Sequence, residues 1–347
     1  MKAKCFHVVR RFEPLGGMES YVWKLTHNLQ KLGVDITIVC EEASEAADLP
    51  VIRLGGVNER RRWKAMRKFR LAVSKYFASL EEDENRIIHS HERTLVHNVT
   101  TIHGPLMRGT GYAFAVKYLL SKRVRFWCEA EENEILGNQV KAVLPVSELW
   151  GEKITELYPR ARIFSPAPPG LDFKLGKPFD GVSELVKLVF VGREWRRKGL
   201  PFAINVCSEL IKKGIVCSLD IYGASGFSSD QLPPYISYKG DSPSIPFDKY
   251  DLLIHPAVSE PYGMVVPEAL GAGCRALVSD WVGAKMLNHP LLMVRQLDLG
   301  VDAWVDGARD LLRTKGSADF TFSTWMDLAR LHSEKVYPAV LMANNHS

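Results

Sequence analysis

Two carboxylates eight positions apart, Glu260 and Glu268, frame the stretch of this 347-residue chain with the clearest chemical content. Between them lie Pro261, Tyr262, Gly263, Met264 and Val265. The apolar run Leu252 to Ala257 upstream reads as a buried strand, and the residues from Gly263 onward read as the start of a helix. The first amides of a helix have no intrahelical acceptor and sit at the positive end of its dipole. Those of Gly263, Met264 and Val265 therefore suit a phosphate, and Pro267 fits the first turns, where an amide hydrogen is dispensable. A carboxylate on each side of a phosphate can take the hydroxyls of two sugars. A nucleoside-diphosphate sugar has that layout. Spacing alone is equally compatible with an ordinary strand-turn-helix whose two glutamates are solvated.

Other residues carry chemistry at strand ends. Leu185 to Val191 reads as a strand that leaves through Gly192-Arg193-Glu-Trp-Arg196-Arg197-Lys198-Gly199. Cations at that place can neutralise charge building on a leaving diphosphate, or they can simply be solvated. Gly16 and Gly17 fall between a strand, Lys4 to Val9, and a helix, Met18 to Leu32. Glycines there permit positive φ and close approach to a phosphate, or make a plain tight turn. No G-x-G-x-x-G is present, which argues against a nicotinamide fingerprint. His89, His91 and His103 stand at the C-terminal ends of the predicted strands Arg86 to Ser90 and Val99 to His103, where parallel sheets bind ligands, though His89 reads better as a packed or surface residue. Acidic Glu129 to Glu134 reads as a solvated helix face. No D-x-D metal pair occurs, and the six cysteines (5, 40, 128, 207, 217, 274) are scattered without a C-x2-C pair. Free thiols, no metal site and a reducing compartment are the expectation.

These residues need alternating strands and helices to hold them. The order strand, helix, strand recurs along both halves and predicts an α/β chain with parallel sheets. The length suits two domains, and 46% apolar with 24% charged residues is ordinary for a globular protein. No run of eighteen apolar residues is present, and the N-terminus is charged too soon for a signal peptide. The proline-rich stretch Phe164 to Asp172 marks a connection. We expect an N-terminal domain over 1–165, a linker over 166–182, a second domain over 183–322 and a closing helix from Ser323, read over Phe320 to Tyr337.

Net charge is +5, unevenly placed. Residues 1–165 hold 26 Lys+Arg against 20 Asp+Glu (+6), which leaves 19 against 20 (−1) for the rest. Within 60–70, seven of eleven residues are basic, interleaved with Trp63, Met66 and Phe69. The segment 117–127 repeats that composition. Either is an ordinary docked helix with a basic face, or a contact with an anionic membrane surface. Nucleic acid is not expected, because no recognisable module accompanies the modest charge.

The stretch Glu260-Pro-Tyr-Gly-Met-Val-Val-Pro-Glu268-Ala-Leu-Gly-Ala-Gly resembles the E-x7-E signature of retaining GT-B glycosyltransferases of family 4. The Gly16-Gly17 turn and Val191-Gly192-Arg193…Lys198-Gly199 are similar to further motifs of that family, and the resemblance spans most of the chain. It implies two Rossmann-like domains facing across a cleft, with the last helix crossing back to the first. It implies transfer of a hexose, with retention, from a nucleoside-diphosphate sugar, UDP favoured, to a saccharide or anionic glycolipid. Arg193 and Lys198 would hold the donor phosphates, with Gly16, Gly17 and Gly192 close by. Glu260 would orient the hexose, Glu268 the ribose, and His103 would contact the sugar. Tyr238 and Lys239 fall in the segment that reads the base, and Trp281 to Ala284 in the place of a small-residue phosphate loop. No metal or other cofactor is implied. The pattern is similar to bacterial lipopolysaccharide core glycosyltransferases, which would place the chain in the cytoplasm at the inner membrane face. One departure is the short segment from Gly240 to Asp251, where the family has a full helix. Two alternatives stay open: a GT-B-fold nucleotide-sugar epimerase, and a non-catalytic nucleotide-sugar-binding scaffold.

Overall fold

The computed structural model describes residues 4–56, 59–171, 184–224, 226–227, 232–242, 244–314 and 322–344. Most of the predicted linker, Ser225 and Phe320 lie outside them. The chain divides into two compact units: Met1–Gly170 with Ser323–Ser347, and Leu171–Phe322.

The first unit runs β1 (Lys4–Val8), β2 (Arg11–Phe12), α1 (Met18–Lys31), β3 (Asp35–Cys40), β4 (Glu42–Ala43), β5 (Val51–Arg53), α2 (Arg62–Ala78), β6 (Arg86–Ser90), β7 (Val99–Ile102), α3 (Tyr112–Leu120), α4 (Lys122–Leu136), β8 (Ala142–Pro145) and α5 (Glu148–Leu157). Six strands form one parallel sheet in the order β5-β3-β1-β6-β7-β8, and β2 and β4 pair separately. Helix α1 forms because Tyr21, Val22, Leu25 and Leu29 recur on one buried face, and Gly33 ends it at φ +78. The Ser147 hydroxyl accepts from the Trp150 amide and caps α5.

Helix α2 turns Met66, Phe69, Val73 and Phe77 into the sheet, onto Phe6, Val8, Val39 and Ile88. Each such burial contributes roughly 1.5–3 kcal/mol. This decides the 60–70 segment for the docked reading: its apolar side is consumed by the core, while Arg61, Arg62, Arg67 and Lys68 stay exposed. A second expectation is corrected on α4. Glu131 and Glu134 are not solvated but buried, and Arg93 bridges them at 3.2 and 3.3 Å. Glu131 also accepts from the Arg108 amide and the Tyr158 hydroxyl, so it fastens the loop before α3.

The second unit runs β9 (Val186–Val191), α6 (Leu200–Lys212), β10 (Cys217–Tyr222), β11 (Ile236–Gly240), β12 (Leu252–His255), α7 (Val265–Gly271), β13 (Arg275–Ser279), β14 (Leu292–Arg295) and α8 (Gly300–Arg313). Its parallel sheet has the order β11-β10-β9-β12-β13-β14. Counted within each unit, both sheets read 3-2-1-4-5-6, the doubly wound order. The order reverses between β1 and β6 in one unit and between β9 and β12 in the other, and ligands of such sheets bind at the carboxyl ends beside that reversal.

The chain closes with α9 (Trp325–Arg330), a π-turn over Leu331–Val336 and α10 (Tyr337–Asn344). The predicted end at Tyr337 is thus too early. Thr324 and Asp327 form a capping box, Trp325 packs edge-on against Tyr21 of α1, and the Tyr337 hydroxyl lies 3.0 Å from both His7 and His89.

Candidate active site

The site in the second unit is built at its switch point, from the loops after β9 and β12. The chain leaves β9 at Gly192 and enters α6 through Gly199, which sits at φ +80. A Cβ on Gly199 would lie 2.0 Å from the Pro256 carbonyl oxygen, so only glycine lets the two loops touch. A Cβ on Gly192 would meet Lys198 Cδ at 2.2 Å, so the lysine stem crosses the bare backbone there. The two glycines thereby aim the basic loop at the loop after β12.

Glu260 receives it. Its side chain is 11% exposed, and three groups converge on one oxygen, Oε2: Lys198 Nζ at 3.2 Å, Arg197 Nη1 at 3.3 Å and His255 Nε2 at 3.7 Å. The backbone is pinned on both sides, because Glu260 N donates to Trp281 O and Gly283 N donates to Glu260 O, each at 2.9 Å. Burial pushes the Glu260 carboxyl up, but Lys198, His255 and Arg197 outweigh it and hold the group well below the ordinary carboxylate range. His255 moves the other way. Burial lowers its pKa first, and the Lys198 and Arg197 charges add to that against the pull of Glu260, so it is neutral at pH 7. The result is an anion that stays ionised while buried under two cations.

The remaining predicted residues fall as follows. Gly263 takes φ +91, and a Cβ there would press on Val282 Cγ1 at 3.1 Å and Glu260 Cγ at 3.2 Å. It turns the chain back beneath Glu260. Pro261 is buried, Tyr262 packs into the core under β12 and β13, and Met264 caps α7, with Val265 in its first turn and Glu268 partly exposed in the same helix. Arg193 is not on Glu260; it is exposed and pairs with Asp241 at 3.4 Å, beside Gly223. Tyr238 and Lys239 lie on edge strand β11, where Lys239 pairs with Asp220 at 3.4 Å. In the loop from Trp281 to Ala284 the last three amides are engaged within the protein, Val282 with the Ser279 carbonyl. Gly283 and Ala284 donate to the carbonyls of Glu260 and Tyr262 and buttress the carboxylate instead of a phosphate. Among its described residues, the short 240–251 segment holds one 3-10 turn, Phe247–Lys249, and is fastened by buried Phe247 and by Tyr250, which donates to Asp220 at 2.7 Å.

Gly16, Gly17 and His103 belong to the first unit. Gly16 has φ +103, and Gly17 is the N-cap of α1. His103 follows β7, with Nε2 3.0 Å from His91 Nδ1 and its ring edge-on to Tyr21.

Two site residues were not singled out by sequence reasoning. Arg197 was one of four cations in a loop, and nothing local separates it from Arg196, which instead stacks on Trp195 at 3.9 Å. His255 was one polar letter at the end of an apolar strand, and that oddity was the available signal.

A Glycosyltransferase Family 4 model matches residues 15–174, and a Glycosyl transferases group 1 model matches residues 186–314. No curated protein matches the sequence. Among solved structures the chain is similar to WaaG, a glycosyltransferase involved in lipopolysaccharide biosynthesis, with a TM-score of 0.71 and 15% identity over 99% of each chain. It is similar to the sucrose-phosphate synthase of Thermosynechococcus elongatus, with a TM-score of 0.65 and 16% identity over 98% of this chain and 100% of that one. It is also similar to Anabaena HepE in complex with UDP and glucose, with a TM-score of 0.61 and 13% identity over 99% and 98%. At such identities the likeness bears on the fold, and the fold is GT-B.

Proposed function

The chain is a GT4-like glycosyltransferase of GT-B architecture, and we propose that it moves a hexose, with retention of configuration, from a nucleoside-diphosphate sugar to an amphiphilic saccharide acceptor. The observation that carries this reading is the convergence of Lys198, Arg197 and His255 on Oε2 of Glu260 at the switch point of the second unit. A carboxylate so held accepts hydrogen bonds from sugar hydroxyls without taking their protons, because its own pKa is far below theirs. Lys198 has three donors, so it can hold Glu260 and still meet a phosphate. Arg193, on the rim, adds a second cation for the departing diphosphate, and the first amides of α7 and Glu268 are assigned to phosphate and ribose. Charge developing on the leaving group is then met by groups already in place. With that charge met by protein cations, the proposed chemistry uses no metal. UDP is the favoured carrier, in line with the UDP and glucose bound to the similar HepE.

The acceptor reading rests on helix α3. None of its nine residues is buried, and Tyr112, Leu119 and Leu120 are 85%, 70% and 82% exposed, with Lys122 and Arg123 exposed just beyond. An apolar face ending in cations fits the boundary of an anionic bilayer, where Leu and Tyr enter the interface and Lys and Arg meet the headgroups. The proposed acceptor is accordingly an anionic glycolipid at the cytoplasmic membrane face.

The test is release of nucleoside diphosphate from a panel of UDP- and GDP-sugars, with proton NMR of the new linkage. Release that rises with a lipid-extract acceptor, and a product anomer matching the donor, supports the proposal. Tight binding of every donor with no release would make the protein a binder, and an inverted anomer would sink the retaining mechanism.

A further inference from the structure

Two of the six thiols touch. Cys207 Sγ lies 3.8 Å from Cys217 Sγ, and among the described residues no other two thiols are hydrogen-bonded. The fold of the second unit makes the pair. In α6, Ala203, Cys207 and Leu210 recur on the buried face. In β10 the alternate residues Cys217, Leu219 and Ile221 are buried, and they join the same core cluster as that helix face. Between them the chain turns at Gly214, at φ +85, and Ile215 N donates to the Leu210 carbonyl at 3.0 Å. The end of the helix is thereby followed closely by the start of the strand, and the two sulfurs meet.

Two small apolar side chains in a core need no further account, but this pair has two features beyond packing. The first is position. Cys217 is the first residue of β10, and the chain leading into it lies on the surface: Lys212, Lys213 and Gly214 are exposed, and so is Val216. Fraying of that first residue bares the Cys217 sulfur while the rest of the core stays closed. The second is the hydrogen bond between the sulfurs. It holds the Cys217 thiol below its ordinary pKa against burial, and the same bond, with burial second, raises Cys207. The sulfur nearer the surface therefore has the greater thiolate character, and the thiolate is the nucleophile.

We infer that Cys207 and Cys217 form an oxidation site, a dithiol that a peroxide closes to a disulfide, with Cys217 attacking and Cys207 resolving. The Cys217 thiolate attacks one oxygen of hydrogen peroxide, the O–O bond breaks, and hydroxide leaves with its electron pair. The product is a Cys217 sulfenic acid. The Cys207 sulfur then attacks the Cys217 sulfur, the S–O bond breaks, and the departing hydroxyl takes the Cys207 proton and leaves as water. The two sulfurs have given up two electrons. With the proton first released by Cys217 counted, one peroxide has become two waters. A disulfide is about 2.05 Å long, so the sulfurs close up by about 1.8 Å from their present contact.

The bond joins positions ten apart and fastens the second half of α6 to the start of β10. Closing that loop restricts the unfolded chain and so stabilises the folded unit. The pair lies at the amino end of β10, whereas the loops around Glu260 leave the carboxyl ends of β9 and β12. The oxidation site is thus separate from that carboxylate, and it stands whatever reaction the carboxylate serves.

The test treats the full-length, reduced protein with hydrogen peroxide under native conditions. It is then alkylated with N-ethylmaleimide in denaturant and digested with trypsin without reduction. Mass spectrometry should find one cross-linked species, joining peptide 199–212 to peptide 214–239, with the other four cysteines alkylated. The oxidised protein should melt roughly 5 °C higher and return to the original temperature with dithiothreitol. Single variants separate the two roles: dimedone, which captures sulfenic acid, should label Cys217 in Cys207→Ala and leave Cys207 unlabelled in Cys217→Ala. Both thiols alkylated after peroxide, or a disulfide through any other cysteine, overturns the inference. So does a disulfide that lowers the melting temperature, or dimedone on Cys207 as fast as on Cys217. The wild-type peptide map decides the pairing even if a variant fails to fold.

Discussion

Lys198 and Arg197 reach the same oxygen of Glu260, yet their removal should differ. Arg197 is also tied to Glu194 at 2.6 Å and to the Ser259 carbonyl, so it holds the loop together. Among the described residues, Lys198 has its stem over Gly192 and its ammonium at the carboxylate and no other tie. We predict that Lys198→Ala lowers kcat for nucleotide release roughly 100–1,000-fold, the usual cost of removing a group that stabilises developing charge, with a small change in melting temperature. Arg197→Ala should lower the melting temperature as well, because it removes the tie from the basic loop to the part-buried Ser259 carbonyl, while Arg196→Ala should change neither. Steady-state release assays beside thermal melts of the three variants separate these outcomes, and equal rates for all three would contradict the assignment. The paired glutamates and the basic loop were legible in the sequence because their spacing is local. Which of four cations reaches Glu260 was not, because that depends on how Gly199 lets the loop lie against Pro256.

At the scale of elements, Gly199 is where the β9 and β12 loops are joined. Gly199→Ala places a Cβ at a positive φ and against a backbone oxygen, so it should destabilise the second unit by roughly 2 kcal/mol or more and lower activity with it. Gly214→Ala, also at positive φ but with open space around its Cβ, is the control for conformational strain alone. A smaller loss for Gly199→Ala than for Gly214→Ala in urea melts would refute the contact argument. Helix α3 supports a second prediction. Leu119→Asp with Leu120→Asp should abolish flotation with anionic liposomes at low salt and leave the melting temperature unchanged, since neither side chain is buried. Equal recovery with neutral and anionic vesicles would count against the membrane role. The strands were legible because buried parallel strands are short apolar runs. The two basic segments looked alike in composition, and only packing separates their parts: α2 covers the sheet and Phe126 and Trp127 of α4 join it, while Leu119 and Leu120 at the end of α3 stay exposed. Glu131 and Glu134 were misread for the same reason, since their partner Arg93 lies about forty residues away in the chain.

For the whole molecule, buried titratable groups predict acid lability concentrated in the first unit. Burial lowers His7 and His103 to about 3 and His97 and His332 to about 4, and it depresses His89 and His91 strongly. The folded state then binds fewer protons than the unfolded chain, whose histidines titrate near 6.5. Stability from these groups is complete above that pH and is lost as pH falls from about 6.5 toward 3. Glu134 and Glu92 have the opposite sign: burial raises each to about 7, against the pull of Arg93 and Arg10, so their contribution fades as pH rises from about 4.5 to 7. Six histidines outweigh the two carboxyls. Thermal melts should therefore show a transition that drops by many degrees between pH 7 and 5, and a flat or rising profile would contradict the buried neutral histidines. Both sheets sharing one strand order explains why each unit gathers polar residues at its own switch point, one as a histidine line and one as a carboxylate under cations.

The central claim is that the buried carboxylate of Glu260 works on a nucleotide sugar. It is tested most directly by the rate of nucleoside-diphosphate release at saturating donor in wild type and in Glu260→Gln, which keeps the shape and removes the charge. The substitution should slow release roughly 10–100-fold, the rate equivalent of a hydrogen bond to a charged group, with the nucleotide still raising the melting temperature of both proteins. Equal rates in the two proteins would contradict it.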